Sequence, residues 1–286
     1  MKKILITGKG SYIGTNLIKW LESKEEEYYC KELDVKGDSW KTYDFSTFDI
    51  VFHVAGIAHV STNSDLEELY YKVNRDLTVK VAKKAKNDGV HQFIFMSSMI
   101  VYGDGTLSNK VITEETAPNP SNFYGRSKLE AEFAINDLSD QSFNVAILRP
   151  PMIYGKNSRG NYPKLSKLAQ MIPIFPNIDN ERSMLHINNL MELLYYIIKY
   201  NESGLFFPQN TEYIKTSELV KEISDVHNKT LLLTKLFNPL ISPFINKITL
   251  LNKLFGNLKY SKRLSELTYN YQIVDFKESI KLTELD

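Results

Sequence analysis

The sequence predicts an α/β protein built on a doubly wound parallel sheet, followed by a smaller C-terminal lobe. Short runs rich in Ile and Val recur at "KILITG" (2–8), "DIVFHVAG" (49–56), "QFIFMSS" (92–98) and "NVAILRP" (144–150). Each run is continuous rather than alternating in polarity, which is typical of strands that are buried on both faces of a parallel sheet.

Helical periodicity separates these runs. The segment "GTNLIKWLESK" places Leu17, Ile18 and Leu21 on one face, and a second helix with the same spacing extends from about residue 70 to Gly89. Strands that alternate with helices up to about residue 150 indicate a doubly wound fold. After Arg149 the chain becomes rich in Pro, Asn and Gly, as expected of loops and short helices around a ligand.

Charge, cysteine content and hydropathy argue against several classes of protein. The 286 residues include 35 Lys or Arg and 34 Asp or Glu, so no field of one sign would attract DNA, RNA or an anionic membrane. The single cysteine, Cys30, has no partner for an internal disulfide, which suits a reducing compartment. The longest apolar run, 236–255, contains two prolines, three asparagines and two lysines, so it is a poor membrane span. We therefore expect a cytoplasmic protein without nucleic-acid partners or membrane insertion.

A glycine-rich turn joins the first predicted strand to the first helix. In "LITGKGSYIG", Gly8 and Gly14 are six apart and Gly10 lies between them. Such a turn lets a pyrophosphate approach the free N–H groups at a helix N-terminus, which is the Rossmann-like mode of binding a dinucleotide. An ordinary glycine turn is the alternative, because the spacing alone is weak evidence. The candidate cofactor-binding residues of this turn are Gly8, Gly10, Ser11, Tyr12, Ile13 and Gly14.

Asp34 is the candidate for binding the cofactor ribose. It follows Gly14 by 20 residues, the separation expected for a strand-end acid that binds the 2′-hydroxyl. Only 14 residues separate Asp34 from Asp49, which begins the next strong strand. Either one βα unit is missing between residues 28 and 49, or Asp34 ends the strand that normally holds adenine. A solvated turn acid is the alternative, and the choice between NAD and NADP stays open.

A serine, a tyrosine and a lysine form the candidate reactive group. Ser97 and Ser98 follow a predicted strand and would be exposed at the carboxyl edge of the sheet, where ligands bind in this architecture. Tyr124 and Lys128 are four apart and share one helical face. A nearby ammonium lowers the pKa of a tyrosine from about 10, so Tyr124 could take a proton from a sugar or alcohol hydroxyl while hydride leaves the same carbon. Ser98 would fix the reacting oxygen; an exposed helix pair is the alternative for the tyrosine and lysine alone.

In the order of its motifs the chain resembles the extended short-chain dehydrogenase/reductases, specifically the NAD-dependent epimerase/dehydratase family acting on nucleotide sugars. The likeness extends from "TGKGSYIG" to about residue 190. "HVAG" (53–56) resembles the strand end that borders the cofactor, and "YYKVNRDLT" (70–78) the helix that supports the site. "SSMIVYG" and "YGRSK" resemble the catalytic blocks, and "LRPPMIYG" (148–155) the strand that leads to the nicotinamide. The resemblance implies NAD as cofactor, with NADP as the alternative, and adds as cofactor-binding residues Ala55, Gly56, Asn74, Tyr124, Lys128 and Pro151.

The resemblance also implies a substrate site and an oligomer. It places Asn161 near the sugar diphosphate and Arg182 on a phosphate. The candidate substrate-binding residues are therefore Ser98, Tyr124, Asn161 and Arg182. Each residue also has a purely structural alternative: Asn161 could be a turn residue, and Arg182 could form a surface ion pair with Glu181 or Asp179. Members of the family often form homodimers through a four-helix bundle, for which the helices at about 65–88 and 123–138 are the candidates.

The chain departs from the family pattern in two places. Ser11 stands where the family has its middle glycine, which predicts a less closely packed phosphate loop. Met99 and Ile100 follow Ser98, where the dehydratases have Asp-Glu; neither side chain can move a proton, so dehydration is disfavoured. The histidines at 53, 59 and 186 lack the spacing of metal ligands, and no metal site is predicted.

These inferences combine into one functional prediction with two alternatives. We predict an NAD(P)-binding domain over 1–155 and a mainly substrate-binding lobe over 156–286, with a strand near 204–208 returning to the sheet. The predicted enzyme is a UDP-sugar 4-epimerase, which carries out oxidoreduction at C4 of a UDP-hexose or UDP-N-acetylhexosamine in surface polysaccharide biosynthesis. The first alternative is a one-way NAD(P)H-dependent reductase of a UDP-4-keto-6-deoxy-hexosamine. The second is a non-catalytic dinucleotide-binding protein of the same fold.

Overall fold

The computed structural model describes residues 1–58, 63–105 and 111–285. The strands are β1 (Lys2–Thr7), β2 (Tyr28–Leu33), β3 (Ile50–His53), β4 (Gln92–Met96), β5 (Val111–Ile112), β6 (Asn144–Leu148), β7 (Met152–Tyr154), β8 (Ile174–Pro176), β9 (Met184–His186), β10 (Gly204–Phe206), β11 (Leu232–Thr234) and β12 (Lys259–Tyr260). The α-helices are α1 (Tyr12–Glu22), α2 (Glu67–Tyr70), α3 (Thr78–Asn87), α4 (Phe123–Asn136), α5 (Tyr162–Met171), α6 (Ile187–Tyr200), α7 (Thr216–Val226), α8 (Asn238–Ile241), α9 (Thr249–Phe255) and α10 (Phe276–Glu284).

The chain divides into two compact units. The first consists of Met1–Gly103, Pro118–Pro150 and Met191–Phe207, and the second of Asp104–Ala117, Pro151–Leu190 and Pro208–Asp286. Each unit is therefore assembled from three separate stretches of sequence, and helix α6 contributes residues to both.

A six-stranded parallel sheet forms the first unit. Its strand order is β10-β6-β4-β3-β1-β2, and every neighbouring pair is parallel. The four apolar runs of the sequence are β1, β3, β4 and β6, so the predicted doubly wound parallel sheet is confirmed. Leu5 packs in one core with α3 and α4, whereas its neighbours Ile4 and Ile6 face the opposite side of the sheet because side chains alternate along a strand. Gln92, at the start of β4, donates hydrogen bonds to the carbonyl oxygens of Ile197 and Glu202 at the end of α6.

The connection from β2 to β3 is short. It contains a 3-10 helix at Ser39–Thr42 and no further strand, so β2 is the edge of the sheet. Trp40, Phe45 and Phe48 from this connection are buried in the same core as α3. Three aromatic side chains thereby cover part of the sheet that a connecting helix would otherwise cover.

The second unit contains three parallel strand pairs, β7 with β9, β8 with β11, and β5 with β12. Its core includes Tyr154, Phe175, Val220, Ile245 and Ile280, contributed by strands and by α7 and α10. Within the described residues, no helix is long and apolar enough to cross a membrane.

Candidate active site

The turn after β1 needs glycine for two independent reasons. Gly8 has a φ of +123°, which L-residues rarely adopt, and a Cβ at this position would lie 2.9 Å from the backbone nitrogen of Ala55. Gly10 also has a positive φ, +70°, but faces open space. The first glycine therefore lets the turn approach the loop after β3, while the second lets the backbone reverse.

Ser11 is the N-cap of α1. Its Oγ accepts a hydrogen bond from Gly14 N at 3.1 Å, and a Cβ on Gly14 would lie only 2.6 Å from that oxygen. The expectation of a loosely packed loop is therefore wrong, because the serine hydroxyl occupies the space beside Gly14 and caps the helix. The N–H groups of Tyr12 and Ile13 precede the intrahelical hydrogen-bond pattern and lie at the positive end of the helix dipole.

Tyr12 carries a buried polar atom that lacks a partner. Its hydroxyl is inaccessible to solvent and makes no hydrogen bond within the part of the chain that the structure describes. Burial raises the pKa of Tyr12 to about 12, so the group is a neutral donor at physiological pH. An unsatisfied buried hydroxyl costs about 1–3 kcal/mol, and a bound ligand with an acceptor would relieve that cost. The turn thus fits a dinucleotide, which would be held by Gly8, Gly10 and the N-terminus of α1.

Two acids lie at the end of β2, and they have different contacts. Glu32 accepts a hydrogen bond from Gly10 N at 2.9 Å, so its carboxylate lies on the glycine turn. The exposed Asp34 accepts instead from Lys36 N at 2.8 Å and stabilises its own turn. The sequence argument chose Asp34 by counting residues, whereas the parallel register, which pairs Ile6 with Glu32, brings the earlier acid to the loop.

Asn74 organises the loop that follows β3. It is fully buried in a π-helix, Tyr71–Leu77, a helix type that often marks functional positions. Its Oδ1 accepts from Ile57 N at 2.8 Å, and its Nδ2 donates to Ile57 O at 3.1 Å. Both ends of the amide are thus used to hold Ala55, Gly56 and Ile57 in place.

Lys128 is buried beside this loop. Its Nζ donates to Met96 O at 2.9 Å and lies 3.2 Å from where a Cβ on Gly56 would be. Burial lowers the pKa of Lys128 to about 8, and the carboxylate of Glu132 one turn along α4 acts in the opposite direction. The ammonium therefore stands at the carboxyl edge of the sheet with a backbone carbonyl as its hydrogen-bond partner.

Ser98 and Tyr124 meet at the same edge. Asn122 caps α4 by accepting from Gly125 N at 2.9 Å, which sets Tyr124 in the first turn, and the Tyr124 hydroxyl is hydrogen-bonded to Ser98. Burial raises the pKa of Tyr124 to about 12, while the hydrogen bond from Ser98 favours the phenolate. In the free protein desolvation therefore outweighs the other influences on the phenol, and the role of Lys128 in lowering the tyrosine pKa stays a prediction.

A buried network behind these residues was missed by the sequence argument. Glu132 receives hydrogen bonds from Arg149 Nε at 3.0 Å and Nη2 at 2.6 Å, and another from the Ser97 hydroxyl. Arg149 Nη1 donates to the Tyr102 hydroxyl at 2.6 Å. The i, i+4 spacing of Lys128 and Glu132 was visible in the sequence, but Arg149, the partner of Glu132, follows β6 and is brought to α4 only by the fold.

The remaining predicted site residues belong to the second unit. Pro151 begins one of its stretches, and Asn161 is exposed just before α5. Arg182 Nη1 donates to Gly256 O at 2.6 Å, and burial lowers the pKa of its guanidinium to about 10 while Asp104 raises it. The predicted alternatives, Glu181 and Asp179, pair with Lys259 and Lys215. Among the described residues no carboxylate lies within ion-pair distance of Arg182.

Comparison with known proteins decides the family. The model of the NAD dependent epimerase/dehydratase family matches residues 4–206. The chain belongs to this family. It is 34% identical over 247 residues to a UDP-glucose 4-epimerase from Vibrio cholerae, covering 78% of this chain and 75% of that protein. It is 28% identical over 246 residues to an N-acetyl-alpha-D-glucosaminyl-diphospho-ditrans,octacis-undecaprenol 4-epimerase from Escherichia coli O157:H7, covering 79% and 72%.

Solved structures of low sequence identity share the fold. A dTDP-4-dehydrorhamnose reductase from Clostridium acetobutylicum has a TM-score of 0.74 at 20% identity, covering 98% of this chain and 97% of that one. A UDP-glucuronic acid 4-epimerase from Bacillus cereus, solved with NAD, has a TM-score of 0.73 at 17% identity with the same coverage. The resemblance inferred from the sequence is confirmed, and the protein is an NAD-dependent enzyme of the epimerase/dehydratase family.

Replacing Gly8 by alanine should weaken NAD binding by at least about tenfold, since strained backbone costs about 1–3 kcal/mol and the new Cβ would push the turn from Ala55. Gly37→Ala is the matched control, because Gly37 also has a positive φ, +69°, but meets nothing within 4 Å. Titration of both variants with NADH, followed by fluorescence, measures the effect. Equal affinities in the two variants would contradict the assigned role of the turn.

Glu32→Gln should raise the affinity for NADP relative to NAD by about tenfold, because a carboxylate on the glycine turn repels a 2′-phosphate. Asp34→Asn removes the same charge two residues later, and we expect it to leave the ratio nearly unchanged. The ratio of the two dissociation constants is measured for each variant. A larger change of this ratio in the Asp34 variant would show that Asp34, and not Glu32, lies at the cofactor ribose.

Proposed function

We propose that the protein is a 4-epimerase of a UDP-sugar, either a UDP-hexose or a UDP-N-acetylhexosamine. The observation that carries the proposal is that Ser98, Tyr124 and the buried Lys128 meet at the carboxyl edge of the sheet, in a chain that belongs to an epimerase family. Its support from relatives is the 34% identity to a UDP-glucose 4-epimerase. Met99, the residue after Ser98, is apolar and buried. It cannot act as the additional acid or base that dehydration needs, whereas epimerisation needs none at this position.

Each residue has a defined task in this reaction. Tyr124 takes the proton of the C4 hydroxyl and later returns it, while Ser98 hydrogen-bonds to the same oxygen. When bound, NAD would accept the hydride from C4 of the sugar and return it to the opposite face of the ketone, so that no net oxidation results. Lys128 presents an ammonium beside Gly56 that can donate to a ribose hydroxyl of the cofactor and stabilise negative charge on the phenol.

The free protein keeps Tyr124 protonated, so turnover requires an influence that favours the phenolate. Burial opposes ionisation, and the hydrogen bond from Ser98 assists it. The phenolic proton must leave before Tyr124 can accept the proton of the C4 hydroxyl, and the Lys128 ammonium together with Ser98 would favour that loss once the substrate excludes water. Ser98 therefore positions the reacting oxygen and also assists the ionisation of the base.

Arg182 and Asn161 are proposed to bind the diphosphate of the substrate. A guanidinium offers two parallel donors to phosphate oxygens. In the described part of the chain no carboxylate lies within ion-pair distance of Arg182, and Asp104 acts on it only from farther away. The exposed Asn161 adds an amide at the start of α5. Their roles rest on the family resemblance and on these contacts.

The carrier of the sugar is the part of the substrate on which the relatives differ. One relative is a UDP-glucose 4-epimerase, and the other is named for an undecaprenol-linked sugar diphosphate. Both names describe a sugar joined to a diphosphate, which is the group that Arg182 suits. We propose uridine diphosphate as the carrier; the surface-polysaccharide pathway and the cytoplasmic location stay predictions of the sequence.

A homodimer is proposed through the helices of the first unit. Leu69 on α2 and Phe133 on α4 are exposed by 43% and 61%. Arg75, in the π-helix that follows α2, donates to Glu130 on α4 at 2.8 Å. Two such pairs could form a four-helix bundle.

The reaction itself tests the proposal. Purified protein is incubated with UDP-glucose, with UDP-N-acetylglucosamine or with the undecaprenyl-diphosphate-linked N-acetylglucosamine, and the C4 epimers are separated by chromatography. We expect one UDP-sugar to be converted without net consumption of NADH. Steady oxidation of NADPH by a UDP-4-keto-6-deoxy-hexosamine would assign the one-way reductase instead. Absence of NAD(P)H binding would exclude both the epimerase and the reductase.

Tyr124→Phe should lower kcat by about 10²–10⁴, because the variant keeps the ring but loses the proton that the reaction transfers. Its affinity for NADH should change little. Tyr29→Phe is the matched control, since Tyr29 is 47% exposed on β2 and should leave kcat unchanged. A Tyr124 variant with normal kcat would exclude the phenol as the acid/base group.

A further inference from the structure

Charge is segregated in the second unit although the chain as a whole is balanced. From Val226 to Ser265 the sequence has seven Lys or Arg and no Asp or Glu, whereas the net charge of the entire chain is +1. The rest of the chain therefore carries an excess of acids. The same segment contains the longest apolar run of the sequence, so cationic and apolar residues coincide.

The helical turns of this segment have two distinct faces. Ile245 is fully buried, and Ile241, Leu251 and Leu254 pack against the core of the second unit. The opposite face exposes large apolar side chains at a spacing close to that of helical turns: Leu236 (77%), Leu240 (71%), Phe244 (49%), Ile248 (46%) and Leu250 (66%). We call residues 235–253 the cationic apolar strip. Five large exposed apolar side chains within 15 residues are more than ordinary scatter and point to an interaction site.

Three exposed lysines, Lys235, Lys247 and Lys253, lie along the strip. In the described ranges none of them has a carboxylate within ion-pair distance, in contrast to Lys215, which pairs with Asp179 at 3.0 Å. Long lysine stems can lie along apolar surface while the ammonium reaches a polar layer. The strip thus combines exposed apolar side chains with lysines that lack ion-pair partners among the described residues.

We propose that the cationic apolar strip docks the protein onto an anionic lipid bilayer. Its helices, α8 at Asn238–Ile241 and α9 at Thr249–Phe255, are too short to span a membrane but suit the interfacial layer, where apolar side chains enter the acyl boundary and lysines meet anionic headgroups. The charge pattern selects this partner over a second copy of the chain. A two-fold dimer through the strip would bring its lysines against their own symmetry mates.

Vesicle binding of the full chain tests the role of charge. Flotation is measured with phosphatidylglycerol–phosphatidylcholine vesicles and with pure phosphatidylcholine vesicles, at low and high salt. Wild-type protein should float with the anionic vesicles and be released by salt. A variant with Lys235→Gln, Lys247→Gln and Lys253→Gln should bind about 100-fold more weakly, since each lysine near an anionic surface contributes a factor of about five. Lys19→Gln, Lys83→Gln and Lys277→Gln, a triple change of exposed lysines elsewhere, should bind nearly as wild type does.

A second pair of variants tests the apolar contribution. Leu236→Ser with Leu240→Ser should weaken binding to anionic vesicles, whereas Leu267→Ser with Ile273→Ser, also exposed in the second unit, should not. All four side chains are exposed, so the melting temperatures should stay close to that of the wild type.

Three results would overturn the proposal. The first is wild-type binding to anionic vesicles no stronger than to neutral ones. The second is a lysine variant of the strip that binds as its control does. The third is an oligomer on gel filtration that the Leu236 and Leu240 changes dissociate while vesicles are not bound, which would assign the strip to a second copy.

Discussion

The buried ion pair between Arg149 and Glu132 connects the elements on which the candidate site depends. Glu132 lies on α4, Arg149 follows β6, and Ser97 at the end of β4 donates to the same carboxylate. A buried ion pair is weak evidence for stability, but loss of one partner leaves an uncompensated charge and costs about 3–5 kcal/mol. The pair therefore acts chiefly on geometry. It holds the end of β4, which carries Ser98, against the helix that carries Tyr124.

The same carboxylate also shapes the electrostatics of the site. Lys128 is buried one helical turn before Glu132, and burial alone would favour its neutral form. Glu132 opposes that tendency, while its own charge is balanced by Arg149. Tyr124 has no comparable countercharge and stays protonated in the free protein. Burial thus disfavours the phenolate of Tyr124, whereas Glu132 offsets part of the effect of burial on the Lys128 ammonium. Proton transfer by Tyr124 would therefore require a bound ligand.

The near-zero total charge of the chain does not describe the charge of each segment. A sum near zero argued against an anionic membrane as partner, yet the acids and bases are not mixed evenly along the chain. At physiological salt, interactions between exposed charges are largely screened beyond about 8 Å. The electrostatic potential at a surface therefore depends on nearby charges rather than on the total charge of the chain. Of the seven cations between Val226 and Ser265, Lys259 is buried against Glu181 and Arg263 pairs with Glu114. Lys235, Lys247 and Lys253 are exposed in the same stretch of sequence as the exposed leucines.

The sequence by itself determined the four apolar strands β1, β3, β4 and β6, the glycine turn, and the order in which Ser98, Tyr124 and Lys128 follow it. These features depend on local periodicity and on residues close in the chain, which a single sequence displays directly. Tertiary structure decided which acid reaches the turn. Glu32 contacts Gly10 and Asp34 does not, because the register of β2 against β1 aligns residues that counting along the chain cannot align. It also decided the state of Tyr124, since desolvation of a phenol depends on packing from distant segments.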